Sequence, residues 1–266
     1  MMTPKLIGKV YVINLKSCTD RKKHIQQEFD GIIDDYEIFE ATDKDSEEVT
    51  NIMKTDFVKK FPPCFRCGKN RCDCANNVLI KHQIGNWCSF INVMRDIVKN
   101  SDKDLTMICE DDVKFAKGGI DILNKMITRD NLEKYNVNFK KPILIRAEQR
   151  GISPPLNDLK LTKKITMSNA CFLVNARYAK SFLKNLKIID TTSDIYLHQR
   201  ILKYDKNIQH FTIEPSPTYQ LSDNKDNPKF ASQIHPKGIN EEDELMAKNH
   251  IKRIEYDDYI RQVKGK

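Results

Sequence analysis

Nine residues, Leu105-Thr106-Met107-Ile108-Cys109-Glu110-Asp111-Asp112-Val113, constrain the fold more than any other stretch of this chain. The apolar run is too short for a stable lone helix and is bounded by charge, so it reads as a buried strand that ends in three consecutive carboxylates. Acids do not belong inside a core. The strand must therefore end at the rim of a sheet, where loops and ligands meet. There the acids can gather a divalent cation with hard oxygen ligands, and that cation can hold a diphosphate. The bland alternative is a solvated acidic turn.

With 266 residues the chain has room for one α/β domain or two small ones. A hydrophobic content of 39% against 31% charged residues fits a polar globular protein. No apolar run approaches the length of a bilayer span, and the residues after Met1 enter a strand pattern without an apolar signal core. The expectation is a cytoplasmic protein without a transmembrane segment. The net charge of +8 raises nucleic acid as a partner, but Lys and Arg are scattered among acids rather than gathered into a stripe with aromatics. The same balance suits an anionic small molecule such as a nucleotide sugar, or an acidic membrane surface.

Lys9 to Leu15 is rich in β-branched and aromatic residues and reads as a first strand, ending near Asn14. Thr19-Asp20 offers a cap for a helix with Ile25 and Phe29 on one face, and Arg21 falls in its first turn. Tyr36 to Ala41 alternates as a second strand, with Asp43 just beyond it, and Ser46 opens a helix that is over by Pro62-Pro63. Asn76-Asn77 caps a long helix from 78 to about 99, whose Ile84, Trp87, Cys88, Ile91, Met94 and Val98 should face the sheet. After the acid-tipped strand come a helix over 120–129 and a strand from Pro142 to Glu148. The strand Ala170 to Val174 follows, then a helix capped by Asn175, a helix opening at Thr192-Ser193-Asp194, and a last strand from Ile208 to Ile213. Residues 223–238 read as a polar loop and the tail from Asn240 as a charged helix.

Strands and helices alternate through the first two hundred residues, which favours a mostly parallel sheet with helices on both faces and ligands at the carboxyl ends of its strands. Asn14, Asp43, Glu110, Asp111, Asp112 and Glu148 all fall at such ends. The organisation expected is one α/β domain over 1–222, with 223–266 packed on it or extending from it.

Of the eight cysteines, Cys64, Cys67, Cys72 and Cys74 form a C-x2-C-x4-C-x-C cluster. Four thiols in one loop could close a tetrahedral structural Zn2+ site, with Gly68 supplying the turn. The final pair departs from the usual spacing, and a reduced Cys-rich loop is the alternative. Cys18, Cys88, Cys109 and Cys171 read as buried small hydrophobes.

Several of these pieces together resemble glycosyltransferase family 25. They are Val12-Ile13-Asn14-Leu15 with Asp20-Arg21, Phe39 to Asp43, Gly85 to Ser89, Ile108 to Val113, Ala170 to Val174 with Tyr178-Ala179, and Asp194 to Leu197. The resemblance spans residues 9 to about 221. Two departures stand out: Phe90 follows Ser89 where the family usually has His, and the Cys-rich insert at 64–74 is not a general family feature. The Cys-rich stretch running into Asn76-Asn77 and the Trp-bearing helix also resembles a subgroup associated with large DNA viruses, which would place the protein in host cytoplasm or virion.

The resemblance implies a GT-A-type αβα sandwich and metal-dependent, inverting transfer of a hexose, galactose or glucose, from a UDP-sugar to a hydroxyl on a glycan or a hydroxylysine-bearing protein. Glu110 and Asp112 would hold Mn2+ or another divalent cation. Asp111 would reach the ribose, and Asn14, Arg21 and Asp43 would lie around the nucleoside. Inversion needs a base for the acceptor hydroxyl, and Asp194 and Glu148 are the candidates. A homodimer stays open. The alternative is a catalytically degenerate GT-A-fold binding module stapled by a four-cysteine zinc site, a reading prompted by Phe90.

Overall fold

A computed structural model describes residues 6–33, 35–59, 62–64, 79–100, 104–148, 159–223 and 230. In chain order its first half contains β1 (Ile7–Asn14), α1 (Thr19–Phe29), β2 (Tyr36–Glu40), α2 (Glu47–Ile52), α3 (Lys81–Asn100), β3 (Leu105–Glu110), β4 (Val113–Phe115), α4 (Gly119–Met126) and α5 (Arg129–Lys134). The second half contains β5 (Ile143–Arg146), β6 (Lys160–Thr162), β7 (Cys171–Val174), α6 (Ala176–Asn185), α7 (Ser193–Ile195), a π-helical turn (Tyr196–Arg200), α8 (Ile201–Tyr204), β8 (Gln209–Glu214) and β9 (Thr218–Gln220).

Seven strands form one sheet in the order β2-β1-β3-β7-β5-β8-β6. Strands β1, β2, β3, β5 and β8 share one direction, and β7 and β6 run against them. The sheet is thus mostly parallel, and the protein is a Rossmann-like αβα sandwich of the GT-A type. Alternate residues of β1 show why: Tyr11 and Ile13 enter the core on the side of α3 and α6, whereas Val10 and Val12 enter the core on the side of α1 and α4. A strand buried on both faces must be apolar throughout, and β3 and β7 are.

Helix α3 begins at Lys81 and is buried around more than one face, because α6 packs on the side that the sheet does not cover. Trp87 is wholly buried and its indole N–H donates to the Thr191 carbonyl, so it belongs to the core. Phe90 lies in the same core against the ring of Phe172. Ser46 and Asn175 cap α2 and α6 as their positions suggest. Helix α1 starts one residue earlier than expected, with Cys18 at its N-cap, and Cys18 is only half-buried, unlike Cys88, Cys109 and Cys171. The short β4, β6, β9 and α5 were not foreseen. Among the described residues no helix is long and apolar enough to cross a membrane.

Cys67, Cys72 and Cys74, the caps Asn76-Asn77, Gly151 with Pro154-Pro155, and nearly all of 223–266 lie outside the described residues. Of the cysteine cluster only Cys64 is described, and it is buried.

Candidate active site

The site forms where parallel strands end. Glu110 closes β3 opposite Ile13 of β1, and the chain turns at Asp111-Asp112 before β4. β4 pairs with β9 in a small antiparallel sheet whose register sets Val113 beside Gln220. A segment from the far end of the domain is thereby laid against the acids: Leu221 N–H donates to the Asp112 carbonyl at 2.9 Å.

Asp111 is clamped at both oxygens. Asn14 Nδ2 donates to one at 2.8 Å and Arg21 Nη1 to the other at 2.5 Å, with both charged side chains about nine-tenths buried. Burial works against the Arg21 charge, but the Asp111 carboxylate outweighs it and holds the guanidinium pKa above its ordinary value. The strand end β1 and the first turn of α1 are thus tied to the acidic turn. On the same side the His24 ring bonds the Val113 carbonyl at 2.8 Å, and Phe230 packs its ring against His24 with the Arg21 guanidinium 5.8 Å from its centre.

Glu110 and Asp112 are left to a different partner. Gln220 Nε2 stands 3.2 Å from Glu110 Oε2 and 3.4 Å from Asp112 Oδ1, a single amide shared between two carboxylates. Burial, followed by the charges of Asp112 and Asp111, pushes the Glu110 carboxyl well above its usual range, and Asp194 adds to the push. Burial likewise raises Asp112 against the opposing hydrogen bond of Ser222. Like charges crowded in a dry site bind protons to relieve repulsion, and a cation does the same work.

Among the described residues no three His, Cys, Asp or Glu side chains are arranged as they stand to hold a metal ion. The donor chemistry nevertheless fits one. Two hard carboxylates of raised proton affinity face a position now taken by an uncharged amide, whose side chain can turn away.

Asp194 sits at the second residue of α7, behind the N-cap Thr192, so helix capping does not account for it. Its charge is felt at Glu110. Glu148 lies two residues beyond β5, 2% exposed and bridged through its backbone to Thr218. Asp43 is exposed, and its carboxylate accepts from the Asp45 N–H in its own turn. That turn is fixed by α3: Ser89 Oγ accepts from Thr42 N–H and donates to the Gly85 carbonyl.

The sequence pattern of the family described as Glycosyltransferase family 25 (LPS biosynthesis protein) matches residues 7–197, from the first residue of β1 into the π-helical turn. The chain belongs to glycosyltransferase family 25. The match takes in Asn14, Arg21, Asp43, the three acids, Glu148 and Asp194. No curated protein matches the chain. Gln220, Asn86, Ser193 and Phe230 line or adjoin this candidate site, and sequence reasoning missed them. Gln220 and Phe230 lie beyond the matched residues and carry no local signal. Asn86 had one, because with Gln83 and Ser89 it draws a polar line along a helix otherwise built for a core.

Proposed function

We propose that this family 25 domain is a metal-dependent, inverting glycosyltransferase that moves a hexose, galactose or glucose, from a UDP-sugar to a hydroxyl on a glycan or a hydroxylysine-bearing protein. The observation that carries the reading is the shared Gln220 amide between the half-buried Glu110 and the buried Asp112, whose mutual repulsion a cation would relieve.

Glu110 and Asp112 would hold Mn2+ or a similar divalent cation, which when bound neutralises charge that develops on a departing diphosphate. Asn14 and Arg21 hold Asp111 in place through both of its oxygens, so that its carboxylate can meet the ribose hydroxyls at the end of β1. Asp194, beside the acids on a helix start, takes the acceptor hydroxyl proton as that oxygen attacks the anomeric carbon. Glu148 is more deeply buried than Asp194, which ranks it second.

Phe90 does not favour a degenerate module. It occupies a core position against Phe172, so its substitution for His changes packing rather than the acid cluster. The deciding experiment follows UDP release from UDP-galactose and UDP-glucose with Mn2+. Turnover is expected in wild type and not in Asp112→Ala of unchanged circular dichroism. Full turnover in that variant, or in excess chelator, overturns the proposal.

A further inference from the structure

A line of polar side chains runs from the acid cluster into the core, half-buried at Asn86 and buried from Ser193 inward. Asn86 Nδ2 lies 3.5 Å from Glu110 Oε1, the longest link. Ser193 Oγ donates to Asn86 Oδ1, and Asn169 Nδ2 donates to Ser193 Oγ at 3.0 Å. Asn169 Oδ1 lies 3.1 Å from His198 Nε2. His198 is fully buried in the π-helical turn, and burial together with the nearby Arg146 charge holds it neutral. An amide oxygen can only accept, so the imidazole carries its proton on Nε2.

Every link then points the same way. The donor sequence is His198 to Asn169, Asn169 to Ser193, Ser193 to Asn86, and Asn86 to Glu110. Hydrogen bonds aligned head to tail polarise one another, and a hydroxyl in mid-chain takes its direction from its neighbours. Two amides in series do not relay protons readily, which excludes a proton wire and leaves orientation as the work the line can do. Four separate elements are joined by it: α3, α7, the π-helical turn and the segment before β7.

We propose that Asn86, Ser193 and Asn169 are positioning residues, a one-way hydrogen-bond chain anchored at His198 that fixes the Glu110 carboxylate for the cation. This rests on the metal-dependent reading above, and it assigns the two asparagines and the serine a role in cation binding although only Asn86 touches an acid.

The test titrates Mn2+ alone into the full chain, with bound and unbound ion read by electron paramagnetic resonance. Ser193→Ala removes the middle link and should weaken Mn2+ binding about fivefold, the worth of one neutral hydrogen bond. Ser193→Thr retains the hydroxyl and should restore wild-type affinity. Asn169→Asp is isosteric but cannot donate to Ser193, whose hydroxyl then turns toward it and away from Asn86. Added negative charge near the acids would by itself tighten cation binding, so a weaker affinity in Asn169→Asp runs against that electrostatic effect and in the direction the chain requires. Affinity unchanged or tighter in both Ser193→Ala and Asn169→Asp overturns the proposal.

A metal-free measurement separates its failure from failure of the metal reading. In wild type the Asn86 side-chain amide should give protected NMR signals that shift and lose protection in Asn169→Asp. If wild type binds no Mn2+, the metal reading falls, and the proposed role of the chain in cation binding falls with it. If Mn2+ binds but the Asn86 signals are indifferent to Asn169→Asp, the chain alone is refuted.

Discussion

Asp112 is costly to fold, and the proposed chemistry requires it. Its carboxylate is buried beside Asp111 and near Glu110, and its proton affinity is raised in the folded chain. A folded-state pKa above the unfolded value means the native state binds more protons, so stability is lost as pH rises above the ordinary carboxylate range. Asp112→Asn removes that repulsion while keeping the shape. The expected result is a metal-free protein with a higher Tm than wild type at pH 7.5, no metal-dependent rise in Tm, and no transferase turnover. A lower Tm would show that the charge is already compensated. The two candidate bases separate by the same reasoning. Asp194→Asn should cut kcat by about 10²- to 10⁴-fold with little change in KM for the donor, the usual range for loss of a general base. Glu148→Gln should act mainly on stability, since its carboxyl is 2% exposed in the strand-end packing around Thr218. A kcat loss confined to Glu148→Gln would exchange the roles.

At the scale of elements, close backbone approach explains two glycines that the site depends on. A Cβ on Gly85 would lie 2.7 Å from the Thr42 carbonyl oxygen, and one on Gly119 would lie 2.1 Å from that of Pro217. Alanine gains about 1 kcal/mol over glycine within a helix, but a clash with backbone costs typically 1–3 kcal/mol, so the clash wins. Gly85→Ala should lower the urea midpoint and loosen the Thr42 to Lys44 turn, which hydrogen exchange at the Thr42 amide would register. Much of this architecture was legible in the sequence. The apolar run of β1, the acid-tipped β3 and the helical spacing of α3 each encode burial locally, and Asn175 and Ser46 cap helices through their own side chains. What stayed hidden was pairing at a distance. The three residues of β9 have no pattern of their own, and Gln220 reaches Glu110 and Asp112 only because β9 lies against β4 more than a hundred positions away in sequence. Ser193 and Asn169 were invisible for the same reason, since a polar residue at a helix start or strand edge becomes part of a buried line only when the sheet brings both to one rim.

Across the whole molecule two sets of buried and half-buried titratable groups oppose each other in pH. His198 and His210 lie on the α3 and α6 side of the sheet near the buried Arg146 guanidinium, whose Nη1 is 3.5 Å from His210 Nδ1 and whose Nη2 donates to the His198 carbonyl. Burial and then the Arg146 charge lower both imidazoles, His210 to about 4. The unfolded chain binds their protons from about pH 6.5 downward, the folded chain does not, and stability is therefore lost as pH falls from about 6.5 to 4. Glu110 and Asp112 act in the reverse sense above the ordinary carboxylate range: their folded pKa values are raised, so acidification relieves them and adds stability. In metal-free protein the two contributions oppose each other, and Tm should vary less with pH than it does with the acids held ionised. Saturating Mn2+ would hold the two acids ionised and remove their half of the balance, leaving the histidines to set the slope. The expected outcome is a Tm that falls steeply on acidification with Mn2+ and only gently without it. His210→Gln should flatten the metal-loaded curve, and Asp112→Asn should steepen the metal-free one. Differential scanning calorimetry across that range, on wild type and these two variants, checks each sign separately. Parallel curves with and without Mn2+ would mean that no cation engages the acids at the end of β3.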